Sequence, residues 1–450
     1  MKNREHIERE TISNLQELIR FSTVNPPGNE GPAARFLFER LEDAGLTPRL
    51  LECEGRPNVV VRLQGDGSRG GGPLLLTGHL DVVPVEEEAW THPPFAAEIE
   101  GDYLYGRGAV DMKHMVAMCL TIACQLAREE FRLGRDVILA FVSDEEEGCR
   151  CGSRFLVENH PEEVRAECMI GETGGFSMDV NRKRYYPIQV AEKGRCRIRL
   201  TARGEPGHGS IPHQENALLR LAQALIKLGR TRLPQHRVRT VERFVQELAR
   251  TQGFPASWFL PCLLDPLLGG ALLEYLLEPS VANLMAATLS NTVAPTILEA
   301  GGKINVIPGR AVAYVDGRTL PGQTGEDLVR ELHHLVGDAI DIDILEEHPG
   351  RENSGTHPLL ATLMSTLKDH DPQGIPVPCL ATGFTDAAYF GRVIPHCFGF
   401  SPVRFPVSDR VRFERLLHGH DERIHLPGFL WGLRVLDDAV RRHCVREPVS

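Results

Sequence analysis

Two residues apart, His79 and Asp81 close the run LLLTGHLDVVP, which begins at Leu74. If the backbone stays extended there, both side chains leave on the same face. Such a pair is commonly an ordinary strand end, but a neutral imidazole in that position could bind a metal, and Asp81 could orient it or brace the ligands without touching the metal. Asp111 stands immediately before an apolar helical run, Met115 to Leu126, where an aspartate also serves as a simple cap. A second apolar run, Asp136 to Val142, leads into Ser143 and then Asp144, Glu145, Glu146 and Glu147. Acids this close repel one another and raise some of their pKa values. The cluster is either a solvated acidic turn, or a site where a cation neutralises part of it and one carboxylate is kept as general base. A third run, Ala166 to Gly171, ends in Glu172, and His418 and His420 share a polar loop near the C-terminus.

Three apolar strands that each end in histidine or acid describe one crevice at the carboxyl edge of one sheet, where open α/β sheets bind their ligands. The candidate ligands are His79, Asp111, one or two glutamates of 145–147, Glu172, and His418 or His420. Imidazoles and carboxylates without an obligatory thiolate suit Zn²⁺, with Mn²⁺ or Co²⁺ as substitutes. That set is too large for a single catalytic zinc with an open position. It suffices for two ions about 3.5–4 Å apart that share a bridging carboxylate and generate a bridging hydroxide. A free glutamate beside them would take the water's proton and hand it to a leaving amine.

The elements that must position these residues follow from periodicity and punctuation. Residues 7–20 have helical spacing, and 21–31 (FSTVNPPGNEG) form a turn-rich loop. A helix from Pro32 to Ala44 ends at Gly45, a good C′ residue. Pro57 to Arg62 reads as a strand, and Gly152 to Glu158 as a helix. Beyond Glu172 the texture changes. Residues 186–194 read as a crossover, and Arg195 to Ala202 alternates like a half-exposed strand. The Gly/Pro loop 204–217 carries His208 and His213, and a helix follows from Glu215 to Lys227. Residues 231–280 are helical, and strand pieces return at Ala286–Leu289, Thr296–Glu299 and Ala311–Val315. A helix from Gly325 to Leu335 and a strand from Ile340 to Leu345 follow. Helices Pro358 to Asp369 and Phe429 to His443 belong to a last α/β stretch.

The chain of 450 residues is too long for one typical core. Its 42% hydrophobic and 25% charged residues are those of an ordinary globular protein, and a net charge of −11 argues against a nucleic-acid partner. The polar N-terminus lacks the apolar centre of a secretory signal. Eleven cysteines, an odd number, including Cys149 and Cys151 beside the acidic cluster, read as free thiols of a reducing cytoplasm. Ser257 to Leu277 is long enough to cross a membrane, but its Asp265, Glu274, prolines and Gly-Gly pair point instead to short packed helices. No membrane partner is expected.

The motifs G-H-x-D (78–81), G-R-G-x-x-D (106–111), D-E-E (144–146), G-E-T (171–173), G-x-x-x-H-G-S (204–210), N-V-I-P (305–308), D-x-R (316–318) and H-x-x-D-E (418–422) occur in that order. Together they resemble the family of aminoacylase, acetylornithine deacetylase, succinyl-diaminopimelate desuccinylase and glutamate carboxypeptidase, which are co-catalytic dizinc amidohydrolases. The resemblance implies an α/β, zinc-peptidase-like catalytic domain with a mixed, largely parallel sheet, built from residues 1–193 and 350–450. It implies an inserted α+β lid/dimerisation domain, 194–349. It implies two Zn²⁺ per chain. One metal would be held by His79 and Glu172, the other by Glu146 and His418, with Asp111 bridging. Asp81 would orient His79, and Glu145 would be the general base. His208 would stabilise the oxyanion, from the partner subunit of a homodimer. Asn305 and Arg318, with Gly383 and Thr385, would bind a small substrate through its free carboxylate. The reaction implied is hydrolysis of an N-acyl amino acid, or of a small peptide by a carboxypeptidase or dipeptidase. Glutamate rather than aspartate at the position of Glu172 favours a deacylase.

Overall fold

A computed structural model describes residues 2–128, 132–275, 279–353, 356–406 and 416–445. The chain divides into two compact units, one comprising 1–190, 353–377 and 385–450, the other 191–352 and 378–384. The second unit therefore takes in a short stretch, Pro378–Phe384, that the sequence reading places with residues 350–450.

The first unit is built on a mixed sheet. Strand Val137–Val142 pairs in parallel with Leu74–His79, which pairs in parallel with Cys168–Gly171, which pairs in parallel with His396–Gly399. Arg56–Leu63 and Arg49–Cys53 extend the first of these strands antiparallel. The strands Leu74–His79, Val137–Val142 and Cys168–Gly171 are buried at every residue. That explains their continuous apolar runs, because helices cover both faces of a parallel sheet. Helix Lys113–Arg128 is buried from Lys113 through Leu126 and packs with Lys2–Arg20 and Gly31–Asp43 into the main core, with Leu74, Leu76, Leu139 and Phe141. Helix Leu426–Cys444 packs into the same core through Phe429, Val435 and Leu436.

The second unit has an antiparallel sheet in the order Thr292–Ala300, Arg310–Thr319, Gly194–Arg203, Ile340–His348. Helices Ala217–Arg230 and Gly325–Val336 share a core with it, built on Ile198, Leu200, Leu221, Leu228, Ala313 and Leu332. The helical segment from Arg239 to Leu289 surrounds a separate small core.

Two expectations fail here. Residues 186–194 are not a crossover: Lys183–Glu192 is a strand, buried from Tyr185 onward. Pro187 and the polar Glu192-Lys193-Gly194 read as punctuation, but burial of Tyr186, Ile188 and Val190 in the main core overrides that local signal. Ala286–Leu289 is not a strand but the end of helix Pro279–Leu289. A short apolar run is ambiguous by periodicity alone. The Lys193 ammonium settles it by donating to the terminal carbonyls of Ala287 and Ser290, at 3.0 and 2.9 Å. No described helix is long and apolar enough to cross a membrane, and Leu276 and Leu277 of the segment tested lie outside the described residues.

Candidate metal centre

Because three neighbouring strands run parallel, their C-terminal ends fall at one edge of the sheet, and that edge carries His79, the Asp144–Glu147 turn and Glu172. Asp111 and His418 join them. His79 Nε2 lies 3.1 Å from Asp111 Oδ1 and 3.9 Å from Glu172 Oε2. His418 Nε2 lies 3.2 Å from the other oxygen, Asp111 Oδ2, and 3.5 Å from Glu146 Oε2. The two oxygens of one carboxylate therefore face two different imidazoles, each with a glutamate of its own. Among the described residues, two sets of donor atoms lie close enough to hold an ion, His79–Asp111–Glu146 and His79–Glu145–Glu172. Glu147 is exposed, and His420 turns away, with Nε2 3.9 Å from Glu86.

These residues fit divalent cations on chemistry as well as on spacing. Glu146 Oε1 and Glu172 Oε1 are buried and have no hydrogen-bond donor. Burial, and then the Glu172 charge, hold the Glu145 carboxyl well above its usual range. Burial and the Asp111 charge push Glu146 up to about 7, and burial raises Glu172 despite His79 beside it. For Asp111, burial is outweighed by hydrogen bonds from His418 and His79, which hold it low. Burial opposes a charge on His79 too, yet the hydrogen bond to Asp111 and the charges of Glu172 and Glu145 raise its pKa. A crowd of buried acids stabilised only by two imidazoles is a site short of positive charge.

A second layer fixes the donors. His79 Nδ1 faces the Asp81 carbonyl at 3.0 Å, which leaves Nε2 aimed into the site. The Asp81 carboxylate accepts the backbone N–H groups of Glu145 and Glu146, both at 3.1 Å, and Asn25 Nδ2 at 2.8 Å. It thus ties the acidic turn to the neighbouring strand end. Asn25 also donates to Asp144, which accepts from Arg56 Nη1 at 2.5 Å and from the Cys151 N–H at 2.9 Å. Arg56 is held in turn by Glu30, through its Nε at 3.1 Å. Glu422 accepts from Arg107 and from the backbone N–H groups of Gly108, Val110 and Asp111, which fixes the backbone at Asp111. Arg107 also donates to the His418 carbonyl. Sequence reasoning missed Asn25, Glu30 and Arg56, and it quoted Arg107 in the motif G-R-G-x-x-D without giving it a role. It quoted Glu422 in a motif without giving it a role, and that motif was the only available signal.

Thr385 belongs to the first unit and lines a small cavity together with Gly171, Glu172, Gln189 and Asp386. The remaining expected residues lie in the second unit. There the Gly209 N–H donates to the Asn305 carbonyl at 2.8 Å, which brings the His208 loop onto Asn305, and His208 is exposed. Arg318 Nε pairs with Asp316 at 3.1 Å, while its Nη1 is buried without a partner. A side chain at Gly383 would meet nothing within 4 Å.

The family model described as peptidase family M20/M25/M40 matches residues 75–442. The chain belongs to this family. It is 28% identical to human aminoacylase-1 over 95% of this chain and 94% of that protein. It is 29% identical to the human N-fatty-acyl-amino acid synthase/hydrolase PM20D1 over 84% of this chain and 76% of that one. Among solved structures it resembles an M20 family metallo-carboxypeptidase from Sulfolobus solfataricus, with a TM-score of 0.73, 18% identity, and 96% and 99% of the two chains covered. It also resembles Bacillus subtilis YXEP, a dinuclear metal binding peptidase from the M20 family, with a TM-score of 0.60, 14% identity, and 97% and 98% covered. These likenesses show the α/β fold. As an M20 member the chain is a metal-dependent hydrolase of the metallopeptidase and aminoacylase class.

Proposed function

We propose that the protein hydrolyses the amide bond of small N-acyl amino acids at a dizinc centre. The observation that carries this reading is Asp111, whose two oxygens face His79 and His418. His79, Asp111 and Glu172 would hold one ion, and Asp111, Glu146 and His418 the other. Bound Zn²⁺, or Co²⁺ or Mn²⁺ in its place, supplies Lewis acidity toward the amide carbonyl and makes water more acidic. Glu145 takes the proton from that water and delivers it to the leaving amine nitrogen. Asp81 acts on the reaction through the atoms that it positions. Arg318 and Asn305, with Gly383 and Thr385, receive the substrate carboxylate, and His208 stabilises the oxyanion.

The second unit then serves as lid and dimerisation domain of a homodimer. Its edge strand Thr292–Ala300 is exposed along most of its length, Ile297 and Leu298 included, and an unpaired edge of that kind seeks a second strand. A cytoplasmic location is supported by cysteines that are all free thiols.

The likeness to human aminoacylase-1, which extends over nearly the whole chain, supports N-acyl amino acids rather than free peptides as the substrates. A panel of N-acetyl amino acids and dipeptides, assayed with and without chelator, tests this. Cleavage of dipeptides alone would replace the deacylase reading with a dipeptidase. Glu145→Gln is expected to lower kcat by roughly 10²–10⁴ while bound metal stays unchanged. Turnover surviving in that variant would remove Glu145 from the role of base.

A further inference from the structure

Residues 230–289 of the second unit carry chemistry that amide hydrolysis leaves unused. Helices Arg239–Thr251, Gly269–Tyr275 and Pro279–Leu289 turn Val241, Val245, Leu273 and Met285 into their own small core. Other side chains of the same segment are left in water: Phe254 is 86% exposed, Trp258 72%, Leu267 90% and Tyr275 77%. Leu268, Val281 and Leu284 are exposed as well. Among the described residues, these are seven of the twenty large apolar side chains that remain exposed, gathered in 31 residues of sequence. Soluble monomers rarely leave such a concentration uncovered.

The charge of the same segment departs from that of the chain. Residues 230–250 hold six arginines against two glutamates, and residues 251–289 hold three acids and no lysine or arginine, in a protein of net charge −11. Two of the arginines are placed beside the apolar groups. Arg232 Nη2 reaches Asn283 Oδ1 at 3.5 Å, on the helix that carries Val281 and Leu284. Arg237 lines a groove with Leu264 and Pro266, next in sequence to Leu267, and its Nη1 lies 3.8 Å from Glu242 Oε1 in the same groove. Arg239 and Arg243 are exposed. Tryptophan and tyrosine favour the boundary between headgroups and acyl chains, leucine and phenylalanine enter below it, and arginine stems snorkel back to phosphate. The segment is too broken and too charged to cross a bilayer, but it has the composition of one that lies on it.

We propose that this face of the second unit docks on an anionic lipid surface, with Trp258, Leu267 and Tyr275 entering the headgroup boundary and Arg232, Arg237, Arg239 and Arg243 meeting lipid phosphates. The expected absence of a membrane partner rested on a crossing helix, which is a different mode of contact. The docking does not depend on which amide is hydrolysed.

Trp258 makes the test direct, because Trp90 and Trp431 are buried. The full-length, metal-loaded protein is mixed with vesicles of phosphatidylcholine alone or of equal parts phosphatidylcholine and phosphatidylglycerol. Flotation and tryptophan emission are then followed. Binding to the anionic vesicles, with a blue shift and weakening in high salt, is expected. Leu267→Ser with Tyr275→Ser is expected to lower partitioning about tenfold or more while hydrolysis of a water-soluble amide is unchanged. Arg239→Gln with Arg243→Gln is expected to remove the preference for phosphatidylglycerol, and it tests the same surface without touching an apolar group. No binding to either vesicle would overturn the proposal. So would a blue shift that grows with protein concentration in the absence of lipid, since a second copy of the chain would then cover the face.

Discussion

Asp81 shows how much of a metal centre is carried by a residue that need not touch the metal. Its carboxylate accepts two backbone N–H groups of the acidic turn as well as the Asn25 amide, so it sets where Glu145 and Glu146 begin. Asp81→Asn keeps the volume but faces at least one of those N–H groups with an NH₂. We expect a loss of about 10–100-fold in kcat or metal affinity, with the thermal unfolding midpoint little changed. Wild-type kinetics in this variant would show that the turn holds itself. At this scale the sequence displayed the candidate ligands well, because imidazoles and acids at the ends of apolar runs are conspicuous. It hid their supports. Asn25 sits in a Pro-Pro-Gly loop, and Arg56 opens an ordinary strand. Their common partner Asp144 lies 119 and 88 residues away respectively, a distance that no local pattern spans.

Among the elements, the buried parallel strands were legible as unbroken apolar runs, and their shared edge followed from their being parallel. The strand Lys183–Glu192 and the end of helix Pro279–Leu289 were not, since tertiary contacts decide both. One glycine shows how tightly the acidic turn is packed. A Cβ at Gly152 would lie 1.9 Å from the Ser143 carbonyl oxygen, which is backbone and cannot rotate away. Gly152→Ala must therefore move the turn bearing Glu145 and Glu146. We expect a destabilisation of about 1–3 kcal/mol in denaturant unfolding, together with reduced turnover. Full stability would mean that the turn yields freely. Lys193 ties the end of helix Pro279–Leu289 to the sheet by donating to Ala287, Ser290 and Thr292. Burial, reinforced by the Arg318 charge, lowers its pKa from 10.5 to about 7. Between those values the unfolded chain holds the proton and the folded chain does not, so stability rises with pH across that window and is level below it. Lys193→Met removes this dependence. The stability of the wild type relative to the variant should grow by a few kcal/mol from about pH 7 to about pH 10, measured by denaturant unfolding. A constant difference would mean that the ammonium stays charged in the fold.

For the molecule as a whole, the division into two units separates two kinds of stability. Every proposed metal ligand lies in the first unit, although the ligands range from His79 to His418 along the chain. In the absence of cations the acids at the sheet edge are held against one another by burial, and Glu145, Glu146 and Glu172 are pushed toward their neutral forms. Ions that bind the folded arrangement and not the unfolded chain stabilise it by mass action, about 2.7 kcal/mol at a free concentration one hundred times the Kd. Loading must also displace whatever protons the carboxyls and imidazoles carry, so affinity should fall as the pH is lowered. The stabilisation belongs to the strands that end in ligands. After chelation, amide hydrogen exchange is expected to quicken in Leu74–His79, Val137–Val142 and Cys168–Gly171, and to stay unchanged in Gly194–Arg203 and Arg310–Thr319 of the second unit. Readdition of Zn²⁺ should reverse the change. Equal quickening in both units would mean that the metal stabilises a single cooperative block, and exchange indifferent to chelation would mean that these side chains are not the ligands.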